Sequence, residues 1–128
     1  MAIRLSACIA TNSIEHTRDF YIEHFDAVVT FDCGWYVDLR IGGSTFQFIT
    51  AEKSGGHACD AAGITLNLQV EDADAEYKRL TESGLVPASP IADHPWGDRS
   101  FIIQDPSGIS VCIYMETEPD EEFRQYYK

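Results

Sequence analysis

The sequence predicts an α+β fold made of two consecutive βαβββ modules whose sheets cup a cleft. Three observations predict it. A strand, a helix and three short strands follow one another twice along the 128 residues. The two copies start 59 residues apart, which pairs Ser13 with Asp72 and Tyr21 with Leu80. Turn residues punctuate both copies at hairpin spacings.

The first module opens with Ile3–Ala10, which reads as a strand with Leu5, Ala7 and Ile9 on one face. Asn12-Ser13 offers a helix N-cap and Glu15 an acid for the first turn. Ile14, Tyr21 and Phe25 then recur at helical spacing, so one stripe of that helix is apolar. Ala27–Asp32, Trp35–Ile41 and Thr45–Ala51 read as three strands, separated by Cys33-Gly34 and Gly42-Gly43-Ser44. Lys53–Gly63, with Gly55-Gly56 and small residues, reads as a linker.

The second module repeats the order. Ile64–Val70 is an expected strand, Asp72 an N-cap, and Ala73–Ser83 a helix with Tyr77 and Leu80 inward. Gly84 ends that helix. Val86–Ala88 begins a short strand before Pro90, and a loop carries His94-Pro95-Trp96-Gly97. Ser100–Gln104 and Ile109–Met115 flank Asp105-Pro106-Ser107-Gly108, a strong turn in which Pro presets φ, Asp caps and Gly accepts positive φ. The expected organisation is one domain, 1–128: module one about 1–52, linker 53–63, module two about 64–116 and an acidic tail 117–128. In that tail Pro119 and Asp120 start a short helix whose aromatics dock, or the tail frays.

Each module alone is marginal in size, and its helix covers only one sheet face. Two modules, from one chain or two, can close their remaining faces around a cavity. That is the natural place for chemistry.

Composition narrows what the cavity can hold. A formal charge of −12 repels nucleic acid and anionic membrane surfaces, and it draws in cations or simply keeps the chain soluble. A hydrophobic content of 45% is ordinary for a globular chain, and 12% aromatics supply the bulk of a core, which excludes disorder. No long apolar run marks a signal peptide or a membrane span, so the expected location is the cytoplasm. Cys8, Cys33, Cys59 and Cys112 form no C-x-x-C pair, so neither a zinc ribbon nor a thioredoxin motif is available.

The βαβββ repeat resembles the glyoxalase/bleomycin resistance protein/dioxygenase group, the vicinal oxygen chelate superfamily, over roughly residues 3–116. The carrying motifs are Asp19-Phe20-Tyr21, Val70-Glu71-Asp72, and Pro95-Trp96-Gly97-Asp98-Arg99-Ser100-Phe101 followed by Asp105-Pro106-Ser107-Gly108. The chain looks especially like the bleomycin-resistance branch, whose small acidic members bind the drug as homodimers without turning it over. Enzymes of the superfamily hold a divalent metal through a first-strand and a last-strand residue of each module. The resemblance places those positions at Ser6 and Gln47, then Thr65 and Cys112. Neutral hydroxyls, an amide and a lone thiol make no coherent metal site. The resemblance therefore implies binding rather than catalysis, with no metal and no cofactor.

Other chemistry is thin. His16 and His24 share a helix side about 12 Å apart, too far for one ion. His57, Cys59 and Asp60 lack a fourth ligand, and His94 either meets a ligand or is solvated. Strand alternation turns Leu5, Phe46, Leu66 and Val111 toward the helices. It leaves Ser6, Cys8, Gln47, Ile49, Thr65, Asn67, Gln69, Cys112 and Tyr114 on the other face, which either lines a site or is merely wetted. Phe31, Trp35 and Trp96 stack on a ligand or join the core. The expected ligand contacts are Phe31, Trp35, Gln47, Thr65, Asn67, Trp96, Cys112 and Tyr114, in a homodimer that sequesters a planar, partly cationic small molecule such as an antibiotic. The alternative is a metal-dependent lyase, isomerase or dioxygenase with unusual ligands.

Overall fold

Strand β1 (Cys8–Thr11), helix α1 (Ile14–Phe25) and strands β2 (Val28–Asp32), β3 (Tyr36–Ile41) and β4 (Ser44–Thr50) open the chain. Two 3-10 turns, Ala51–Ser54 and Ala61–Gly63, lead to β5 (Thr65–Gln69) and α2 (Ala73–Glu82). β6 (Ser89–His94), β7 (Asp98–Gln104), β8 (Ser110–Glu116) and the short α3 (Glu121–Arg124) complete it. This computed structural model describes Met1 and residues 3–128. The strands form two four-stranded sheets, ordered β1-β4-β3-β2 and β5-β8-β7-β6. In each, the first strand runs parallel to the last and the other pairings are antiparallel. The βαβββ repeat is therefore present twice.

The chain divides into two compact units, Met1–Ala61 with Asp105–Gly108, and Ala62–Gln104 with Ile109–Lys128. In the first, α1 buries Ile14, Thr17, Phe20 and Tyr21 at helical spacing. The Tyr21 ring meets Phe46 at 5.0 Å and Phe48 at 5.9 Å, while Val37 and Leu39 fill the same sheet face. Burying one such side chain contributes about 1.5–3 kcal/mol. The helix stops where Asp26 turns left-handed at φ 53 and Ala27 N–H returns to Tyr21 O. Ser13 occupies the N-cap position, but its hydroxyl caps nothing. The 105–108 turn belongs to this body because polar side chains capture it. Tyr21 donates to Asp105, and the hydroxyls of Thr11 and Thr17 each lie 2.6 Å from Ser107 Oγ.

In the second unit, Asp72 caps α2 by accepting Ala75 N–H at 3.0 Å. Leu80 is fully buried, Tyr77 sets its ring edge 5.0 Å from Phe101, and Gly84 follows at φ 100. Ile103, Val111 and Ile113 complete this core. The tail docks rather than frays: Thr117 N–H bonds Gly97 O and Asp120 N–H bonds Pro95 O. No helix among the described residues is long and apolar enough to cross a membrane.

Two strand expectations are corrected. The first strand is Cys8–Thr11, not Ile3–Ala10, and Leu5 is 98% exposed rather than turned toward the helix. β1 pairs only with Gln47–Thr50, so residues 3–6 have no neighbouring strand to fix their pleat. Val86–Ala88 is not a strand either; Val86 is exposed and the strand is Ser89–His94, with Pro90 inside it. Pro90 is tolerated because β6 is a sheet edge and its register shifts between Ser89 and Ala92.

Candidate functional site

Side-chain alternation divides the first unit's sheet. Val37, Leu39 and Phe48 face α1, and Tyr36, Asp38 and Gln47 point the other way. On that far face a hydrogen-bond ladder crosses the sheet. Ser6 Oγ donates to Gln47 Oε1 at 3.0 Å, and Gln47 Nε2 donates to Asp38 Oδ1 at 2.8 Å. Thr30 Oγ1 donates to Asp38 Oδ2 at 2.8 Å. Both carboxylate oxygens of Asp38 are thereby held in place.

Aromatic residues flank Asp38 across and along the strands. Phe31 is the register partner of Asp38. Its ring meets Tyr36 edge-on at 6.1 Å, and Trp35 meets Tyr36 edge-on at 6.3 Å. Phe31 is 53% and Trp35 45% exposed, so both keep free ring surface. Lys53 Nζ lies 5.3 Å from the Trp35 ring centre, which shows that this indole already accepts a cation. Burial pushes the Tyr36 phenol up, with smaller contributions from Cys8 and Asp38, so it stays a neutral donor at physiological pH. Phe31, Trp35 and Gln47 are thus brought together through Tyr36 and Asp38, two residues the sequence reading did not single out. Their signal was available: Tyr36, Asp38 and Arg40 alternate along one strand.

In the second unit Thr65, Asn67 and Gln69 of β5 lie opposite Ser110, Cys112 and Tyr114 of β8. Burial is the main cause that raises the Cys112 thiol; the Ser100 hydroxyl pulls the other way and the Asp98 charge adds to it. A raised thiol stays protonated, which makes it a weak nucleophile. Trp96 adjoins this strand face through Asp98, which Ser100, the register partner of Tyr114, also hydrogen-bonds. It sits in the β6–β7 turn, its ring stacked 4.6 Å from His94 and its Nε1 bonded to Asp98 Oδ2 at 2.7 Å.

The donor chemistry does not fit a divalent metal at the positions the family resemblance implies. The Gln47 carbonyl oxygen already accepts from Ser6, and its amide nitrogen donates to Asp38. Thr65 brings only a neutral hydroxyl, and Cys112 a thiol pushed away from its ligating form. Among the described residues, no group of three or more His, Cys, Asp or Glu side chains is placed to hold a metal ion.

Two βαβββ units of this topology define the vicinal oxygen chelate fold. The sequence profile of the Glyoxalase/Bleomycin resistance protein/Dioxygenase superfamily matches residues 4–113, and the chain belongs to that superfamily. An uncharacterized protein of Mycobacterium bovis is 29% identical over 117 residues, covering 81% of this chain and 77% of the relative. A crystal structure described as a glyoxalase/bleomycin resistance protein/dioxygenase from Nocardioides superposes with a TM-score of 0.76 at 19% identity, covering 92% of this chain and 85% of the other. A lactoylglutathione lyase from Agrobacterium tumefaciens gives 0.73 at 17%, covering 89% and 92%. At these identities the two structures share the fold with this chain.

Proposed function

We propose that the protein binds and sequesters a planar, partly cationic small molecule, such as an antibiotic, without a metal, in the manner of the bleomycin-resistance branch. One observation carries the reading: Phe31, Tyr36 and Trp35 form a run of T-shaped ring contacts, and Phe31 is the register partner of Asp38, whose carboxylate is anchored. A planar cation stacks on the rings and faces the charge. Stacking a cation on an indole contributes about 0.5–2 kcal/mol, a few-fold to about thirtyfold in affinity. Thr65, Asn67, Cys112 and Tyr114 serve as neutral, hydrogen-bonding positions on the second unit's own sheet face. The exposed part of the attraction toward a chain of charge −12 is screened beyond about 8 Å at physiological salt.

The test is a titration of a bleomycin-like planar cation at low and high salt, with and without EDTA. Binding that survives EDTA, weakens with salt and drops in Asp38→Asn is the expected result. Binding that vanishes with EDTA and returns with a divalent ion overturns the reading in favour of a metal-dependent enzyme.

The same proposal includes a homodimer in the cytoplasm. Val28 and Val29 expose apolar surface along the edge strand β2, which a second copy would cover. All four cysteines are free thiols, which suits a reducing compartment. Light scattering that returns the 14.3 kDa monomer mass at micromolar concentration would refute the dimer.

A further inference from the structure

The β6–β7 turn carries an assembly that the proposed first-unit site does not use. His94 Nδ1 lies 2.7 Å from Asp98 Oδ1, and Ser100 Oγ donates to the same oxygen at 3.0 Å. Trp96 Nε1 donates to Asp98 Oδ2 at 2.7 Å. A carboxylate only accepts, so Nδ1 carries a proton, and in the neutral imidazole the lone pair is then on Nε2. Among the described residues nothing pairs with Nε2. The Trp96 ring, 5° from parallel with the imidazole, keeps it from turning. The tail braces the indole in turn: Tyr127 Oη donates to Trp96 O, and the Phe123 ring sits edge-on at 6.4 Å.

His94 borders a groove of about 450 Å³ lined also by Asp93, Pro95, Thr117, Glu118 and Asp120. Two of its three carboxylates have arginine partners, Asp93 with Arg99 at 3.3 Å and Glu118 with Arg124 at 3.2 Å. The Asp120 side chain caps nothing and has no partner among the described residues. The groove therefore presents one carboxylate without an ion-pair partner among the described residues, Asp120, and, in the neutral imidazole, one lone pair on His94 Nε2. Both are acceptors.

We propose that this groove is a second binding site, for a monocation with more than one N–H donor, an amidinium or a primary ammonium group. One N–H is accepted by His94 Nε2, and the charge is met by Asp120. An anion finds no donor on Nε2 of the neutral imidazole and is repelled by Asp120. Asp98 is a positioning residue here, because it decides which imidazole nitrogen accepts.

Benzamidine is the probe, followed by calorimetry and by nitrogen NMR of the histidine rings. The free protein is expected to show the His94 proton on Nδ1, and millimolar benzamidine to shift the His94 ring nitrogens. Asp120→Asn and His94→Gln are each expected to weaken binding about tenfold, the size of one charge-assisted hydrogen bond. Asp98→Asn, whose amide can donate to Nδ1 and move the proton to Nε2, is expected to weaken binding and change the ring-nitrogen spectrum together. Asp38→Asn, which disables the first-unit site, is expected to leave this binding intact; loss there would assign the probe to the first unit and overturn the proposal. So would a proton on Nε2 in the free protein, no shift at His94, or unchanged affinity in Asp120→Asn. Asp120 is exposed, so that variant carries the test even if His94→Gln fails to fold.

Discussion

The Tyr21 hydroxyl donates a 2.7 Å hydrogen bond to Asp105 Oδ2, joining two buried residues 84 positions apart in the chain. This contact ties the 105–108 turn to α1. Tyr21→Phe keeps the ring packing and removes one donor from a carboxylate that is 5% exposed. The expected loss is about 1–3 kcal/mol, read by urea unfolding. No change in the midpoint would mean that the bond contributes nothing.

Tyr21 also sets an alkaline limit. Burial foremost, then the Asp105 charge and hydrogen bond, push its phenol far above the ordinary tyrosine range. A raised folded-state pKa gives stability that is complete below the unfolded value, about 10, and is lost as pH rises past it. Stability against pH should therefore fall above about pH 10 in the native chain and fall less steeply in Tyr21→Phe. Parallel curves would refute the assignment.

The turn itself is the next target. Asp105 Oδ1 accepts Ser107 N–H at 2.8 Å, and Gly108 holds φ 84, where an added Cβ would meet Ala61 Cβ at 3.4 Å. Asp105→Ala removes an acceptor, and Gly108→Val forces a β-branched residue into left-handed backbone. Each should cost about 1–3 kcal/mol. Thermal unfolding with both midpoints unmoved would contradict this account.

Gly97 is where the tail and the turn meet. At φ 113 its added Cβ would lie 2.9 Å from Tyr127 Oη and 3.2 Å from both Pro119 Cβ and Thr117 O. Gly97→Ala should release the tail, expose the region around Tyr127 to protease and change Trp96 emission. A variant as protease-resistant as the parent would show that the tail does not depend on this contact.

For the first-unit site, Trp35→Ala should weaken a planar cation a few-fold to about thirtyfold. Fluorescence titration of the variant decides it. If Trp35→Ala binds as tightly as the parent, the ring array is not the contact.

Much of this chain's local structure is legible in its local pattern. The repeat offset, the α1 stripe of Ile14 and Tyr21, the Asp72 cap and the Asp-Pro-Ser-Gly turn all depend on residues within a few positions of one another. Phe31, Trp35 and Gln47 were visible as candidates for the same reason, as strand or turn residues of known type. Leu5 and Val86 misled because alternation and β-propensity do not show whether a neighbouring strand exists.

By itself the sequence determined two βαβββ units, their order and turns, and an acidic chain with Ser6, Gln47, Thr65 and Cys112 at the positions the family resemblance implies for a metal. Those are matters of composition, periodicity and side-chain chemistry. Tertiary structure decided what stands beside what. It placed the 105–108 turn against Tyr21, Asp38 opposite Phe31 in the sheet, and the tail across the turn that holds His94 and Trp96. Each of these joins residues on different strands, turns or segments of chain. Strand register and long-range hydrogen bonds bring them together, and neither is written in local spacing.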